Sequence, residues 1–464
     1  MKQIPPLVLL LLLAGCAAVG PEMQTPQSPE ATQLFTTHEG VEMTSIAHWW
    51  RQFNDPVLNQ LIEQGLATAP TVSSALARLR SARAEREGAE TKFYPTFSAN
   101  GNYRKDRSWG KNDSGWNDQH SASMNASWEI DIFGGVRRSV EQAEAREAQL
   151  AYTLQEVRVS LAAEIAAAYV SVRRYESQIA IAEANLALQE QNVELVKKRH
   201  ISGDVIRYDV VSAEAQAART RASLPQYRQN LTQAVLILDQ LTGNVPYTNQ
   251  VKIAETQDVM HLPELPPKVV ASELLRRRAD VRIAEMTIAE RTAGVGVATA
   301  ELYPKFSISG TIGISSPDLT PWESYTRQLS FGPSFTWNLF SFGYWQRRID
   351  AQKELLEASV ADYCDTVLKA YQESEAAWIA YHREIERTVP LLDAERFCRE
   401  ALKIAEKRYD LGDIAIDDVI TQQSLLLSAQ ENLVAHRAQL FTNAIALYRT
   451  LGGGWSDETT PPEE

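Results

Sequence analysis

Residues 302–307, Leu-Tyr-Pro-Lys-Phe-Ser, repeat residues 93–98, Phe-Tyr-Pro-Thr-Phe-Ser, at an offset of 209 (303 minus 94). The same offset carries Trp128 to Arg138, with Phe133-Gly134, onto Trp337 to Arg347, with Phe342-Gly343. It also carries Arg199-His200-Ile201-Ser202-Gly203-Asp204 onto Arg408-Tyr409-Asp410-Leu411-Gly412-Asp413. Three landmarks in register mark an internal duplication. A unit of about 200 residues is too long for a solenoid repeat, so the chain reads as two copies of one hairpin-based supersecondary unit.

After each Tyr-Pro the hydrophobic period changes from 3.6 to 2. Ala122, Met124, Ala126, Trp128 and Ile130 alternate with Ser121, Ser123, Asn125, Ser127 and Glu129. Phe306, Ile308, Gly310, Ile312 and Ile314 alternate with Ser and Thr in the same way, and Leu329, Phe331, Phe335, Trp337 and Leu339 follow suit. Such segments are strands with one apolar and one polar face. Each copy holds one β-hairpin, about 95–132 and about 304–342, with loops at Asp106–Asp118 and Ser316–Thr326. Strands of about ten residues, apolar outward and Ser/Asn/Thr inward, match a membrane β-barrel. A soluble sandwich hairpin is the competing reading. Four strands cannot close a membrane barrel, for which about eight is the minimum, whereas three chains supply twelve.

A long helical stretch follows each hairpin, from about Arg138 to Arg199 and from Arg347 to Arg408, ending at Gly203-Asp204 and Gly412-Asp413. Sixty residues of helix extend about 90 Å. From Leu161 an apolar stripe steps by four and three through Ile165, Ala168, Val172, Tyr175, Ile179 and Ala182, the 3.5 period of coiled-coil packing. Return helices run from about Tyr208 to Leu241 and from Asp417 to Leu451, stopped by Gly243 and Gly452. Pro225 and Pro390 are expected to kink or interrupt their helices. Near the start, Asp55 caps and Pro56 opens a helix with an apolar face at Leu58, Leu61, Ile62 and Leu66.

The N-terminus reads as a targeting segment. Lys2 precedes the apolar run Leu7–Leu13, which ends in Leu13-Ala14-Gly15-Cys16, a bacterial lipobox too short to span a bilayer. Cys16 is therefore the expected lipidated residue, and Ala17 after it points to the outer membrane. The expected organisation is a signal peptide at 1–15, an extended tether at 16–54, a first repeat at 55–245, a linker at 246–267, a second repeat at 268–453 and a disordered tail at 454–464.

Composition excludes several classes. A net charge of −13 argues against nucleic acid as a partner. Cys364 and Cys398, 34 residues apart in helical sequence, cannot bridge on one continuous helix. The seven histidines lack metal-ligand spacing, so no metal or cofactor is expected. No Gly-x-Ser-x-Gly or His-Glu-x-x-His motif is present, and the chain does not read as an enzyme.

Taken in order, these landmarks resemble the outer membrane factor family, the TolC-like outer membrane efflux proteins, and within it the NodT-type lipoprotein branch. The carriers are the lipobox with Val19-Gly20-Pro21, Trp49-Trp50 with Phe53-Asp55-Pro56-Leu58, the two Tyr-Pro motifs and the two Trp-to-Gly strand ends. Asp209-Val210-Val211-Ser212-Ala213-Glu214, Leu224-Pro225, and Arg408-Tyr409 with Gly412 ahead of Asp418-Val419-Ile420 complete the set. Met23, Ala279 and Thr421 depart from the branch pattern, standing where an aromatic, a proline and a second aspartate are usual.

The resemblance implies a mainly α protein with a small β part: a homotrimer with a twelve-stranded barrel in outer-membrane lipid and a long helical barrel in the periplasm. It implies an exit duct for drugs or other small solutes, fed by a periplasmic adaptor protein and an inner-membrane pump of the resistance-nodulation-division type. Type I protein secretion is the main variant, and a lipid-anchored coiled-coil scaffold without a pore is the rival from another class. Adaptor contact is expected at Gly203, Asp204, Gly412 and Asp413. The constriction is expected at Asp417 and Asp418, with Tyr208 and Asp209 in the other copy and Arg408 and Tyr409 nearby. Those aspartates also suit the N-terminal caps of their helices.

Overall fold

The computed structural model describes residues 18–24, 44–107, 109, 116–248, 277–317 and 325–455. Its elements, in chain order, are α1 (Thr44–Ala47), a 3-10 turn (Trp49–Phe53), α2 (Pro56–Thr68), α3 (Pro70–Glu90), a second 3-10 turn (Thr91–Phe93), β1 (Thr96–Arg107) and β2 (Trp116–Ile130). There follow α4 (Gly135–Ile201), α5 (Arg207–Leu241), α6 (Ala279–Ala300), β3 (Lys305–Ser316), β4 (Thr326–Thr336), α7 (Tyr344–Glu386), α8 (Thr388–Asp410) and α9 (Ile416–Thr450). The chain divides into two compact units: Met1–Pro29, Ala77–Thr153 and Asp280–Thr366 in the first, and Glu30–Leu76, Leu154–Ala279 and Val367–Glu464 in the second. Each unit draws equivalent pieces from both copies of the duplication.

The first unit holds one antiparallel sheet in the order β1-β2-β3-β4. Thr96 faces Ser127 in the first hairpin and Lys305 faces Thr336 in the second, so the two hairpins share one register, shifted by 209. The central rows across the sheet keep a single chemistry. Ala99, Met124, Ile312 and Leu329 form one row, and Ser98, Asn125, Thr311 and Ser330 form a row on the opposite face. Alternation along each strand thus becomes an apolar and a polar face of the whole sheet. The apolar side chains stay exposed within one chain: Met124, Ile312, Leu329 and Phe331 are all open to the outside.

At the ends of the hairpins the duplication is visible in single bonds. The Trp128 indole donates to the Phe93 carbonyl (2.8 Å) and the Trp337 indole to the Leu302 carbonyl (3.0 Å). Gly134 and Gly343 both turn with positive φ, +78° and +83°. β4 ends at Thr336, so Trp337 and Leu339 lie beyond the strand rather than in it, as the alternation had suggested. The ladder stops there because Lys305, the first residue of β3, has Thr336 as its partner.

Helix α4 runs for 67 residues without interruption. Its sequence contains no proline. Asp131 holds its start by accepting from the Val136 and Arg137 N–H groups (3.0 and 2.9 Å), and Lys198, Arg199 and His200 favour its negative C-terminal end. The equivalent stretch in the second copy breaks at Arg387 into α7 and α8. Pro390 sits in the first turn of α8, where its missing N–H is not needed. His436 of α9 holds this break, with Nδ1 2.6 Å from Glu384 Oε1 and Nε2 3.0 Å from Thr388 Oγ1. Pro225, by contrast, does not interrupt α5, which continues from Arg207 to Leu241. Burial of Leu224 next to it anchors that stretch, and packing outweighs one lost backbone bond.

The second unit corrects the reading of residues 16–54 as extended throughout. Within it, Trp49, Trp50 and Phe53 are buried. Trp49 stacks on Tyr448 with ring centroids 5.6 Å apart, and Phe53 lies 5.8 Å from Phe441. Aromatic side chains of this size bury enough surface to hold a short 3-10 turn in place. Cys16, most of the tether, most of the 246–267 linker and the tail from residue 456 lie outside the described residues. Cys364 and Cys398 are both free and half-buried.

Candidate functional site

Both helical hairpins of the second unit reverse through the same motif. The Gly203 N–H donates to the His200 carbonyl (3.0 Å) and the Asp204 N–H to the Arg199 carbonyl (2.9 Å). In the second copy Gly412 donates to Tyr409 (3.0 Å) and Asp413 to Arg408 (2.9 Å). This pairing satisfies the last carbonyls of a helix and requires a left-handed residue at the glycine. Gly203 and Gly412 supply it with φ of +83° and +79°. The Asp204 and Asp413 side chains are exposed and, among the described residues, accept no hydrogen bond.

The two turns are joined by one apolar cluster. Val196 of α4 packs with Leu402, Ala405 and Tyr409 of α8 and Ile416, Val419 and Leu426 of α9, flanked by Val205, Val210 and Cys398. Arg199 crosses between the copies: its guanidinium lies 4.5 Å from the centre of the Tyr409 ring and 3.8 Å from Asp410. The ring face attracts the cation. Tyr409 is buried, and its hydroxyl makes no hydrogen bond among the described residues. Partial burial raises the pKa of Glu406, and the Asp410 carboxylate one turn later adds to that rise.

The return helices start differently in the two copies. Ile206 is the N-cap of α5, and Asp209 Oδ2 accepts from its N–H at 3.2 Å, so this aspartate does serve its own helix terminus. Ala415 is the N-cap of α9 and offers no side chain, while Asp417 and Asp418 occupy the first turn, where the helix dipole favours carboxylates. Asp417 Oδ1 accepts from the Ser212 hydroxyl of α5 at 2.8 Å. This bond ties the two starts together across 205 residues of sequence. Thr421 spends its hydroxyl on the Asp417 carbonyl (2.7 Å).

Asp418, the duplicate of Asp209, is exposed, as are Tyr208 and Arg408; among the described residues none of these side chains makes a hydrogen bond or ion pair. Within one chain neither Arg408 nor Tyr409 bonds to Asp417 or Asp418. Ser212 holds Asp417 instead. In the sequence Ser212 stands only within the motif Asp209–Glu214, and nothing local signals its partner on the other copy.

Further bonds connect the copies. Asn185 donates to Gln430 (3.1 Å) and Tyr227 to Glu431 (2.6 Å). Burial and the bond to Glu431 push Tyr227 up to about 12. Exposed pairs such as Lys197–Glu214 (3.0 Å) and Arg221–Glu190 (2.6 Å) lace α4 to α5, where solvent screens them.

In the first unit, the segment just beyond Cys16 is fastened by its backbone. The Val19 N–H donates to the Phe133 carbonyl (3.1 Å), and Arg138 Nε donates to the Val19 carbonyl (3.1 Å). Gly20 turns at φ +98°, and a Cβ there would lie 2.5 Å from Gly296 Cα. Only a glycine passes at that point. Among the described residues no group of three or more His, Cys, Asp or Glu is placed to hold a metal, and no described helix is long and apolar enough to cross a membrane.

Comparison with known proteins agrees with this geometry. Residues 61–244 and 270–453 each match the family described as outer membrane efflux protein. The toluene efflux pump outer membrane protein TtgC of Pseudomonas putida is 27% identical over 467 residues, covering 97% of this chain and 95% of the relative. Nodulation protein T of Rhizobium leguminosarum bv. trifolii is 28% identical over 461 residues, 96% of each chain. The solved outer-membrane channel OprN superposes with a TM-score of 0.85 at 32% identity, covering 94% of this chain and 99% of that one.

Proposed function

The chain belongs to the outer membrane efflux protein family, and from that membership we propose that it is the exit duct of a tripartite efflux system, without catalytic activity of its own. Three copies combine their sheets into a barrel in the outer membrane. A periplasmic adaptor delivers small solutes expelled by an inner-membrane pump, of the resistance-nodulation-division type, and Cys16 carries the lipid anchor. One observation carries the reading: a four-stranded sheet with an apolar and a polar face, in which the outer edges of β1 and β4 have no partner strand among the described residues. Open edges are not tolerated in lipid, so such a sheet spans a membrane only when further copies close it. The name of TtgC, a toluene efflux pump outer membrane protein, supports small apolar compounds as the cargo class.

The turns at Gly203-Asp204 and Gly412-Asp413 form the adaptor contact, and the starts of α5 and α9 form the constriction. Repeated three times around a narrow passage, Asp418 brings like charges together and attracts cations. Asp417 keeps α9 in place through Ser212. The test is conductance in planar bilayers. Asp417→Ala combined with Asp418→Ala is expected to raise conductance several-fold while the heat-modifiable trimer migrates unchanged. An intact trimer with unchanged conductance would reject the constriction assignment, and a protein with neither trimer nor conductance would be a scaffold.

A further inference from the structure

The loop end of the first hairpin carries charge on the face that is otherwise apolar. Continuing along β1 from Ala99 on that face come Gly101, Tyr103, Lys105 and Arg107, opposite Ala122, His120, Asp118 and Trp116 of β2. The Tyr103 and His120 rings stack with centroids 4.8 Å apart. Lys105 Nζ lies 3.3 Å from Asp118 Oδ1 and 5.7 Å from the centre of the Trp116 ring. The Arg107 guanidinium stands 5.6 Å from the Trp109 ring and 5.9 Å from that of Trp116. Both indoles keep open surface, Trp109 at 76% and Trp116 at 60% exposure.

The duplication fixes the height of this cluster. Moving Tyr103, Lys105 and Arg107 forward by 209 gives Ile312, Ile314 and Ser316, so Lys105 stands at a level where the second hairpin is still apolar. Arg107 lies two residues, about 7 Å along the strand, beyond it. At its other end β2 leads through Ile130 into α4 at Gly135, so the cluster occupies the end of the sheet away from the helices. In the barrel that end faces outward and the apolar face meets lipid, which puts the cluster at the boundary between acyl chains and the headgroups of the outer leaflet. The charges there do not balance. Among the described residues of the apolar face, Lys105, Arg107 and Arg327 meet one carboxylate, that of Asp118. On the polar face of the same strand Arg104 is matched by Asp106 at 3.0 Å.

We propose that this cluster binds a phosphorylated glycolipid of the outer leaflet, with Lys105 and Arg107 on its phosphate groups and the Trp109 and Trp116 rings against its sugar. An excess of cation at a lipid boundary draws an anion from the lipid side, because acyl chains supply none. The planar fork of Arg107 matches the oxygens of a phosphate. Indole rings offer flat apolar surface on which the C–H face of a hexose rests, a group that a glycerol headgroup lacks. The second hairpin keeps only Arg327 at its end, so each chain builds one such site.

This inference rests on the barrel reading above, and the test separates the two. Full-length protein in mild detergent is titrated with diphosphoryl lipid A, with dephosphorylated lipid A and with phosphatidylglycerol, and bound lipid is counted by native mass spectrometry. Wild type is expected to hold diphosphoryl lipid A most tightly and the dephosphorylated lipid roughly tenfold or more weakly. Lys105→Gln with Arg107→Gln is expected to lose a similar factor for the diphosphoryl lipid, while Arg104→Gln, on the opposite face, keeps wild-type affinity. Asp118→Asn removes the competing carboxylate and is expected to tighten binding. Equal binding of the two glycolipids by wild type, or of the diphosphoryl lipid by wild type and the double variant, would overturn the site. Phosphatidylglycerol bound as tightly as the diphosphoryl glycolipid would overturn the choice of occupant. Each of these results leaves the barrel standing while the heat-modifiable trimer conducts. Starting protein with neither trimer nor conductance would overturn the barrel, and the site with it.

Discussion

Asp55→Ala is expected to destabilise the protein by about 3–5 kcal/mol, a cost assembled from the loss of a helix cap and the stranding of buried donors. The Asp55 side chain is 1% exposed and accepts three hydrogen bonds: from the Val57 and Leu58 N–H groups (2.9 and 3.1 Å) and from the Tyr169 hydroxyl (2.7 Å). Arg173 Nε in turn donates to that hydroxyl at 3.0 Å. Burial raises the Tyr169 pKa, with the bond to Asp55 adding to the rise, so the phenol stays a donor. Alanine leaves two N–H groups and one hydroxyl without an acceptor in a site that water does not reach. Asp55→Asn keeps an acceptor and is expected to lose about 1 kcal/mol, the scale of one hydrogen bond. Denaturation midpoints of the detergent-solubilised protein check the order, wild type above Asn above Ala. An alanine variant within 1 kcal/mol of wild type would contradict it.

The second large effect falls on a glycine. Four helix ends use the same left-handed turn, at Gly203, Gly243, Gly412 and Gly452, with φ between +71° and +83°. Alanine in that conformation costs about 1–2 kcal/mol anywhere. At Gly203 and Gly412 that is the whole cost, because an added Cβ meets nothing within 4 Å. At Gly243 the Cβ would stand 2.8 Å from the Thr68 carbonyl oxygen and 3.2 Å from its carbon, backbone atoms that cannot swing aside. Overpacking adds about 1–3 kcal/mol. Gly243→Ala is therefore expected to lose much of the heat-stable trimer, whereas Gly203→Ala keeps it. Equal losses in the two variants, measured as trimer remaining after a common heating step, would contradict this reading.

These contrasts show where the fold was legible and where it was not. The strands were readable because one face meets a different environment from the other, which writes a period of two into Ala122–Ile130. The turns were readable because only glycine adopts positive φ cheaply, so Gly203 and Gly412 had to recur together. Pro390 marked a helix start, but Pro225 sits in a helix that continues, since tertiary packing around Leu224 outweighs a lost bond. Trp49 and Trp50 fall in a stretch that reads as an extended tether, because Tyr448, the partner of Trp49, lies nearly four hundred residues later and no local rule finds it.

The candidate site divides the same way. Asp209 was placed by its own helix terminus, three residues after the N-cap. Asp417 stands out in the sequence as a charge near a turn, whereas its partner Ser212 comes from the meeting of two copies that have diverged. Arg199 over Tyr409 has the same origin: the duplicate of Tyr409 is His200, which instead places Nδ1 2.8 Å from the Val205 carbonyl. Divergence between duplicated positions is where a repeat acquires new contacts, and an offset alone cannot forecast them.

A membrane duct requires three chains to finish the sheet. Light scattering of the purified protein in mild detergent, corrected for bound detergent, counts them directly. Three copies per particle is the predicted result, with four strands from each. A stable particle containing a single copy would contradict it, because the outer edges of β1 and β4 would then lie unpaired in the membrane.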